Sequence, residues 1–107
     1  MSKKTAIFFA ILALALVLAS LGPSRAGTQG DPQKGARTYA EQCANCHGEQ
    51  GGGGYGPSHV GCALCDSFED LRAKIENDMP RGDPGACTGR CAENTAAYIY
   101  YTLNDNG

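Results

Sequence analysis

The chain has 107 residues, 42% of them apolar, but residues 1–26 hold 17 of the 45 apolar side chains, leaving thirteen large ones and fourteen glycines for the remainder. At about 25 cal/mol per Å² of buried apolar surface, so few large groups barely offset backbone ordering entropy. This excludes a multidomain protein and requires something else to fill or staple the interior. Beyond residue 26 there are six basic and eleven acidic side chains, a formal charge of −5 against −2 for the whole chain, which excludes nucleic-acid and anionic-membrane partners and points to a partner with a basic docking patch.

Lys3 and Lys4 precede an apolar run from Ala6 to about Leu21, followed by Pro23 and Ser24-Arg25-Ala26. This pattern predicts a secretory signal peptide over residues 1–26, cleaved after Ala26, with residues 27–107 as the mature domain in the periplasm. The alternative is an uncleaved membrane anchor, for which the apolar stretch is short against a bilayer core of ~30 Å. After cleavage no stable membrane insertion is expected. Export implies an oxidising compartment, where thiols pair.

Asp31-Pro32 predicts a helix start, with Asp as N-cap and Pro in the first turn, and the helix runs to about Ala44. Residues 48–61 contain seven glycines and read as a slack loop. Asp66-Ser67 opens a second helix, Ser67 and Asp70 being spaced as a capping box, and Phe68, Leu71 and Ile75 form one apolar stripe. Pro80 ends that helix. Thr88 is the expected cap of a last helix ending near Leu103. No segment alternates as a strand does. The expected fold is all-α, three to four helices joined by Gly-rich loops.

Cys43-Ala44-Asn45-Cys46-His47 is a C-x-x-C-H haem-attachment motif. Two thiols one helical turn apart are placed to add to the two vinyl groups of a haem, and the next residue presents its imidazole to the iron. A thioredoxin-like pair needs a preceding strand, where a helix is predicted. A zinc site needs a second ligand pair. Cys62-Ala63-Leu64-Cys65 supplies one formally, but exported thiols oxidise. A plain disulfide leaves His47 unexplained. Covalent haem c, one per chain, is therefore expected on Cys43 and Cys46, with His47 as an axial ligand.

Two side chains compete for the sixth iron position. Met79 sits beyond the second helix on a polar loop where it has no core to fill. His59 lies twelve residues past His47 in the Gly-rich loop. Met79 is favoured, with His59 exposed or near a propionate. The remaining Cys62, Cys65, Cys87 and Cys91 imply two disulfides with three connectivities, of which the local pairs are preferred. The run Gly51 to Gly54 lacks the Lys-Ser/Thr and strand of a phosphate loop. Tyr55, Val60, Leu71 and Ile75 are candidates to pack on the haem. Tyr98 is expected to be packed, and Tyr100 or Tyr101 half exposed.

These residues together resemble class I c-type cytochromes, the small bacterial monohaem type, over nearly the whole mature chain. Gly35 and Tyr39 are similar to the Gly and aromatic of that family's first helix, which crosses a last helix resembling Ala97-Tyr98-Ile99. Gly56-Pro57-Ser58-His59-Val60-Gly61 resembles its Gly-Pro-x-x-x-Gly loop, although position 59 is often apolar there. The resemblance implies that the Pro57 carbonyl accepts the proton of the His47 imidazole and that Met79-Pro80 supplies the distal ligand. It also implies a helical fold wrapped around one haem. The implied function is electron transfer rather than catalysis, with transient docking of redox partners such as a dehydrogenase or terminal oxidase, as a monomer. The rival readings are a haem protein with an open or labile sixth site, serving as gas sensor or oxidoreductase subunit, and a haem-free disulfide-stapled binding module.

Overall fold

A computed structural model describes residues 29–107; the signal peptide expected over residues 1–26 lies outside the described residues. Helix α1 is Pro32–Gln42. Asp31 caps it, its Oδ1 accepting from the backbone N–H groups of Gln33 at 2.9 Å and Lys34 at 3.3 Å. The Asp31 N–H donates in turn to Asn94 Oδ1 at 2.8 Å, so the cap also ties this helix to the last one.

The first helix ends earlier than the sequence suggests. Cys43 leaves the helical run at φ −117°, and a separate single turn, α2, spans Ala44–His47. The break sits within the C-x-x-C-H motif, between its first thiol and the turn that carries Cys46 and His47. Helix α3 is Phe68–Asp78, with Ser67 Oγ accepting from the Asp70 N–H at 3.2 Å. It buries Leu71 and Ile75, four residues apart on one face, and closes at Met79, whose peptide bond to Pro80 is cis.

Helix α4 is Arg90–Ala97 and continues without interruption as a π-helical segment, Tyr98–Leu103. Thr88, expected as the cap, is not: Gly89 occupies that position, with no side-chain cap. The donor is satisfied from elsewhere, because the Gly89 N–H reaches Glu76 Oε1 on α3 at 2.9 Å. That bond ties the start of α4 to α3. Asn104 ends the wider π turn, its Nδ2 donating to the Ile99 carbonyl at 2.8 Å.

The packing is a crossing of α1 and α4 with α3 laid alongside. Gly35 makes the crossing: a Cβ built there meets Asn94 O at 1.9 Å and Tyr98 Cβ at 2.9 Å, which no side chain tolerates. One turn on, Tyr39 packs on Tyr98 with ring centroids 5.2 Å apart. The buried core is small, namely Tyr39, Leu71, Ile75, Ile99, Ala92, Ala96 and two cysteines. Its alanines let backbones approach but fill little volume. Tyr98, Tyr100 and Tyr101 are all half-buried, and Tyr100 stands edge to face with both Phe68 and Tyr101. Cys62 is joined to Cys65 and Cys87 to Cys91, the two local pairs. Among the described residues there is no strand, and no helix is long and apolar enough to cross a membrane.

Candidate functional site

The residues of the attachment motif face one cavity of about 550 Å³, which Cys43, Cys46, His47, Leu71, Ile75 and Met79 line together. Three elements meet there: α2 contributes the second thiol and the imidazole, α3 an apolar surface, and the segment after α3 a thioether. Ile99, from the π-helical segment, adds to the apolar lining. Cys43 and Cys46 are unpaired thiols. Burial, and then the neighbouring Cys46, push the Cys43 thiol up to about 11, so it is held as the neutral thiol.

His47 is only 8% exposed. Its Nδ1 lies 2.8 Å from the Pro57 carbonyl oxygen. A carbonyl oxygen only accepts, so Nδ1 carries a proton, which leaves Nε2 as the nitrogen a metal would take. Gly56 makes room for this arrangement. A Cβ built there would lie 2.6 Å from His47 Cε1, 2.8 Å from Nδ1 and 3.0 Å from Nε2, over the face of the ring. The loop therefore rests its backbone directly on the imidazole.

That loop is not slack, as its glycines suggested. It doubles back on α2 through Gly53 N–H to His47 O and Gly56 N–H to Cys46 O, both 2.7 Å, and His59 N–H to Gly51 O at 2.7 Å. The glycines serve this return rather than mobility: Gly51 and Gly53 have φ of +75° and +99°, where a side chain is strained.

The return path also corrects the expectation for His59. Instead of being exposed, it is half-buried and stacks on His47, with ring centroids 3.9 Å apart and planes 22° from parallel. Tyr39 meets it edge-on at 5.8 Å. Burial, and next the nearby His47, hold its pKa down at about 4. Burial, followed by Cys43 and Tyr98, pushes the Tyr39 phenol up to about 12. Val60 is the second correction. It is 49% exposed and not part of the cavity lining. With His59 turned inward, its neighbour faces out, and Ser58 fixes that turn by accepting the Val60 N–H at 3.1 Å. Tyr55 borders the cavity, yet its side chain stands in solvent at 99% exposure rather than packing inside.

Asn104 is a contributor that the sequence reading missed. Its Nδ2 donates to the His59 carbonyl at 2.7 Å as well as to Ile99, and its Oδ1 accepts the Gly61 N–H at 2.8 Å. One side chain thus clamps the loop over the imidazole to the end of the last helix. An Asn at a helix C-terminus is the only available signal, and it predicts a local cap rather than a contact 45 residues away.

The donor set suits a haem. A cleft of this volume is in the range of cofactor pockets, about 300–1,000 Å³, and it joins an apolar lining to two free thiols, an imidazole with a fixed tautomer and a thioether. Among the described residues no cluster of three or more His, Cys, Asp or Glu side chains offers a site for a bare metal ion. No curated protein matches the chain. Residues 30–99, more than half of the chain, match the family described as cytochrome C oxidase, cbb3-type, subunit III. The chain therefore belongs to that family and is a c-type cytochrome with the all-helical cytochrome c fold.

Proposed function

We propose that this chain is a small monohaem electron carrier of the class I type, working in the periplasm after loss of residues 1–26. Cys43 and Cys46 would hold haem c by thioether bonds, and His47 and Met79 would be the ligands of its iron. The observation that carries the reading is the convergence of both thiols, the imidazole and the Met79 side chain on one apolar cleft.

When bound, the haem supplies the redox chemistry, its iron alternating between Fe(III) and Fe(II). The chain's residues supply orientation and environment. The Pro57 carbonyl holds the proton on His47 Nδ1, fixing the ring and raising its donor strength toward the metal. Met79 brings a soft thioether, which favours the reduced iron and so a higher potential than a second imidazole. Leu71, Ile75 and Ile99 exclude water and lower the local dielectric, which also favours the less charged state. No acid, base or nucleophile takes part, so the chain transfers electrons and does not catalyse a reaction itself.

The family points to a terminal oxidase as the electron acceptor. A monomer docking through a small, short-lived interface suits an electron carrier, because turnover matters more than affinity. The test is the absorption spectrum of protein exported with the haem-attachment machinery. Low-spin bands with a weak far-red sulfur-to-Fe(III) band, lost in Met79→Ala and retained in His59→Ala, support the reading. A high-spin spectrum that shifts with carbon monoxide supports an open sixth site, and protein without haem overturns both.

A further inference from the structure

Three contacts on the His47 imidazole come from one short stretch of loop: the Gly56 backbone over its face, the Pro57 carbonyl 2.8 Å from Nδ1, and the His59 ring stacked at 3.9 Å. The near end of this loop travels with the motif, because the N–H groups of Gly53 and Gly56 are bonded to His47 and Cys46. Its far end does not. Among the described residues, no backbone hydrogen bond ties residues 57–61 to α2. The half of the loop that carries Pro57 and His59 therefore needs a tie from elsewhere if it is to hold the imidazole.

The C-terminal tail supplies it. Asn104 Nδ2 donates to the His59 carbonyl at 2.7 Å, and its Oδ1 accepts the Gly61 N–H at 2.8 Å, reaching back 45 and 43 residues. The second bond from Nδ2, to the Ile99 carbonyl at 2.8 Å, fastens the same side chain to a wall of the cleft. A carboxamide offers two N–H donors and an acceptor oxygen, and all are used here. Ending the π-helical segment requires only the Ile99 bond; the other two grip the loop. Residues on either side lie on it as well. A Cβ built at Gly51 would lie 2.8 Å from Leu103 Cδ1, and Asn106 Nδ2 donates to the Cys65 carbonyl at 3.1 Å. We propose that Asn104 is a positioning residue for the His47 imidazole, pinning Pro57 and His59 against the ring and in register with the Ile99 wall of the cleft. The inference rests on the reading of His47 as an iron ligand. Released from Asn104, the far end of the loop lifts from the ring and the Pro57 bond weakens. The imidazole is then a poorer donor to Fe(III), which favours Fe(II).

The test uses the haem-loaded protein and begins with its spectrum. Low-spin haem with an imidazole ligand establishes the reading of His47, and its absence sinks that reading independently of this one. In the parent, the Asn104 side-chain amide protons should exchange slowly with solvent, since both are bonded in a partly buried place. Asn104→Ala should reorient the imidazole, read from the paramagnetic NMR shifts of the haem methyl groups. Loss of a direct partner of a ligating imidazole costs about tenfold or more, and Asn104 acts one step further out. Its loss should therefore move the reduction equilibrium toward Fe(II) by roughly threefold, or about 28 mV for one electron. Asn104→Asp keeps the acceptor for Gly61 but sets a carboxylate against the His59 and Ile99 carbonyls, so it should act as Asn104→Ala does. Asp31→Ala removes the cap at the far end of α1 and is the control for destabilisation alone; its methyl shifts and potential should match the parent. Methyl shifts and potential that are unchanged in either Asn104 variant, or changed as much in Asp31→Ala, overturn the proposal. If neither Asn104 variant accumulates, amide protons of Asn104 that exchange in the parent as fast as a free carboxamide overturn it equally.

Discussion

Replacing Gly56 by Ala probes how closely the loop rests on the proposed proximal ligand. Gly56 is not among the residues at positive φ, so alanine adopts its backbone without strain and the effect is purely steric. The new methyl would start 2.6 Å from His47 Cε1, whereas carbon atoms in contact sit about 3.5–4.0 Å apart, so the ring has to retreat by about 1 Å. It has little freedom to do so, being bonded to Pro57 at 2.8 Å and stacked on His59 at 3.9 Å. A retreat of that size, perpendicular to the ring, lengthens the Pro57 contact only to about 3.0 Å but tilts it out of the ring plane, which weakens it. Overpacking of this kind costs about 1–3 kcal/mol. In a domain of this size that is a fall in Tm of about 4–24 °C, since each kcal/mol shifts Tm by about 4–8 °C. The assay is thermal unfolding of the haem-loaded protein, with Gly52→Ala as control because nothing lies within 4 Å of a Cβ at that position. Gly56→Ala should melt well below the control and raise the potential, because a weakened bond to Pro57 makes the imidazole a poorer donor to Fe(III). Equal melting points for the two variants would refute the close approach.

Other sites give independent checks. Gly35→Ala sets a methyl 1.9 Å from a main-chain oxygen and has no flexible neighbour to displace, so it should cost at least as much as Gly56→Ala, about 1–3 kcal/mol or more, in chemical denaturation. Asn104→Ala removes three hydrogen bonds, should cost about 1–3 kcal/mol, and should speed amide exchange at Gly61 more than at α1. Glu76 is held below the usual carboxylate range by the Gly89 N–H and then by Arg72. A carboxylate depressed on folding contributes stability that is present above its unfolded pKa, about 4.3, and is lost as pH falls through the folded value. Glu76→Gln should therefore lower Tm at neutral pH and flatten its decline on acidification. Replacing Cys87 and Cys91 together by Ser opens a loop of four residues' separation and should cost about 2 kcal/mol, and peptide mapping of the unreduced parent should recover the Cys62–Cys65 and Cys87–Cys91 pairs.

What the sequence made legible was whatever local chemistry dictates. Asp31 and Ser67 cap helices because their side chains reach N–H groups two or three residues on, a relation written entirely within a few positions. Leu71 and Ile75 are buried because their spacing matches one helix face. The scarcity of large apolar side chains likewise anticipated a core of alanines beside an apolar cleft. The features that were misread depend on residues distant in sequence. Thr88 looked like a cap, but the helix opens one residue later at Gly89, whose N–H is taken by Glu76, thirteen residues away. The glycine run looked slack because composition does not reveal that its N–H groups return to the carbonyls of Cys46 and His47. His59 turned inward and Val60 outward for the same reason. In an irregular loop no periodicity assigns faces, and the assignment came from contacts with α2 and Asn104. The break at Cys43 was hidden because Cys43 and Ala44 carry no helix-stopping signal, and the turn is set by the return of the loop.

The most direct test of the central claim is the mass and spectrum of the exported protein after denaturation. One haem should remain bound to the unfolded chain, be lost when Cys43 and Cys46 are both replaced by Ser, and in the native protein give the low-spin spectrum whose far-red band disappears in Met79→Ala. A chain that folds with its native disulfides and carries no covalent haem would contradict the account.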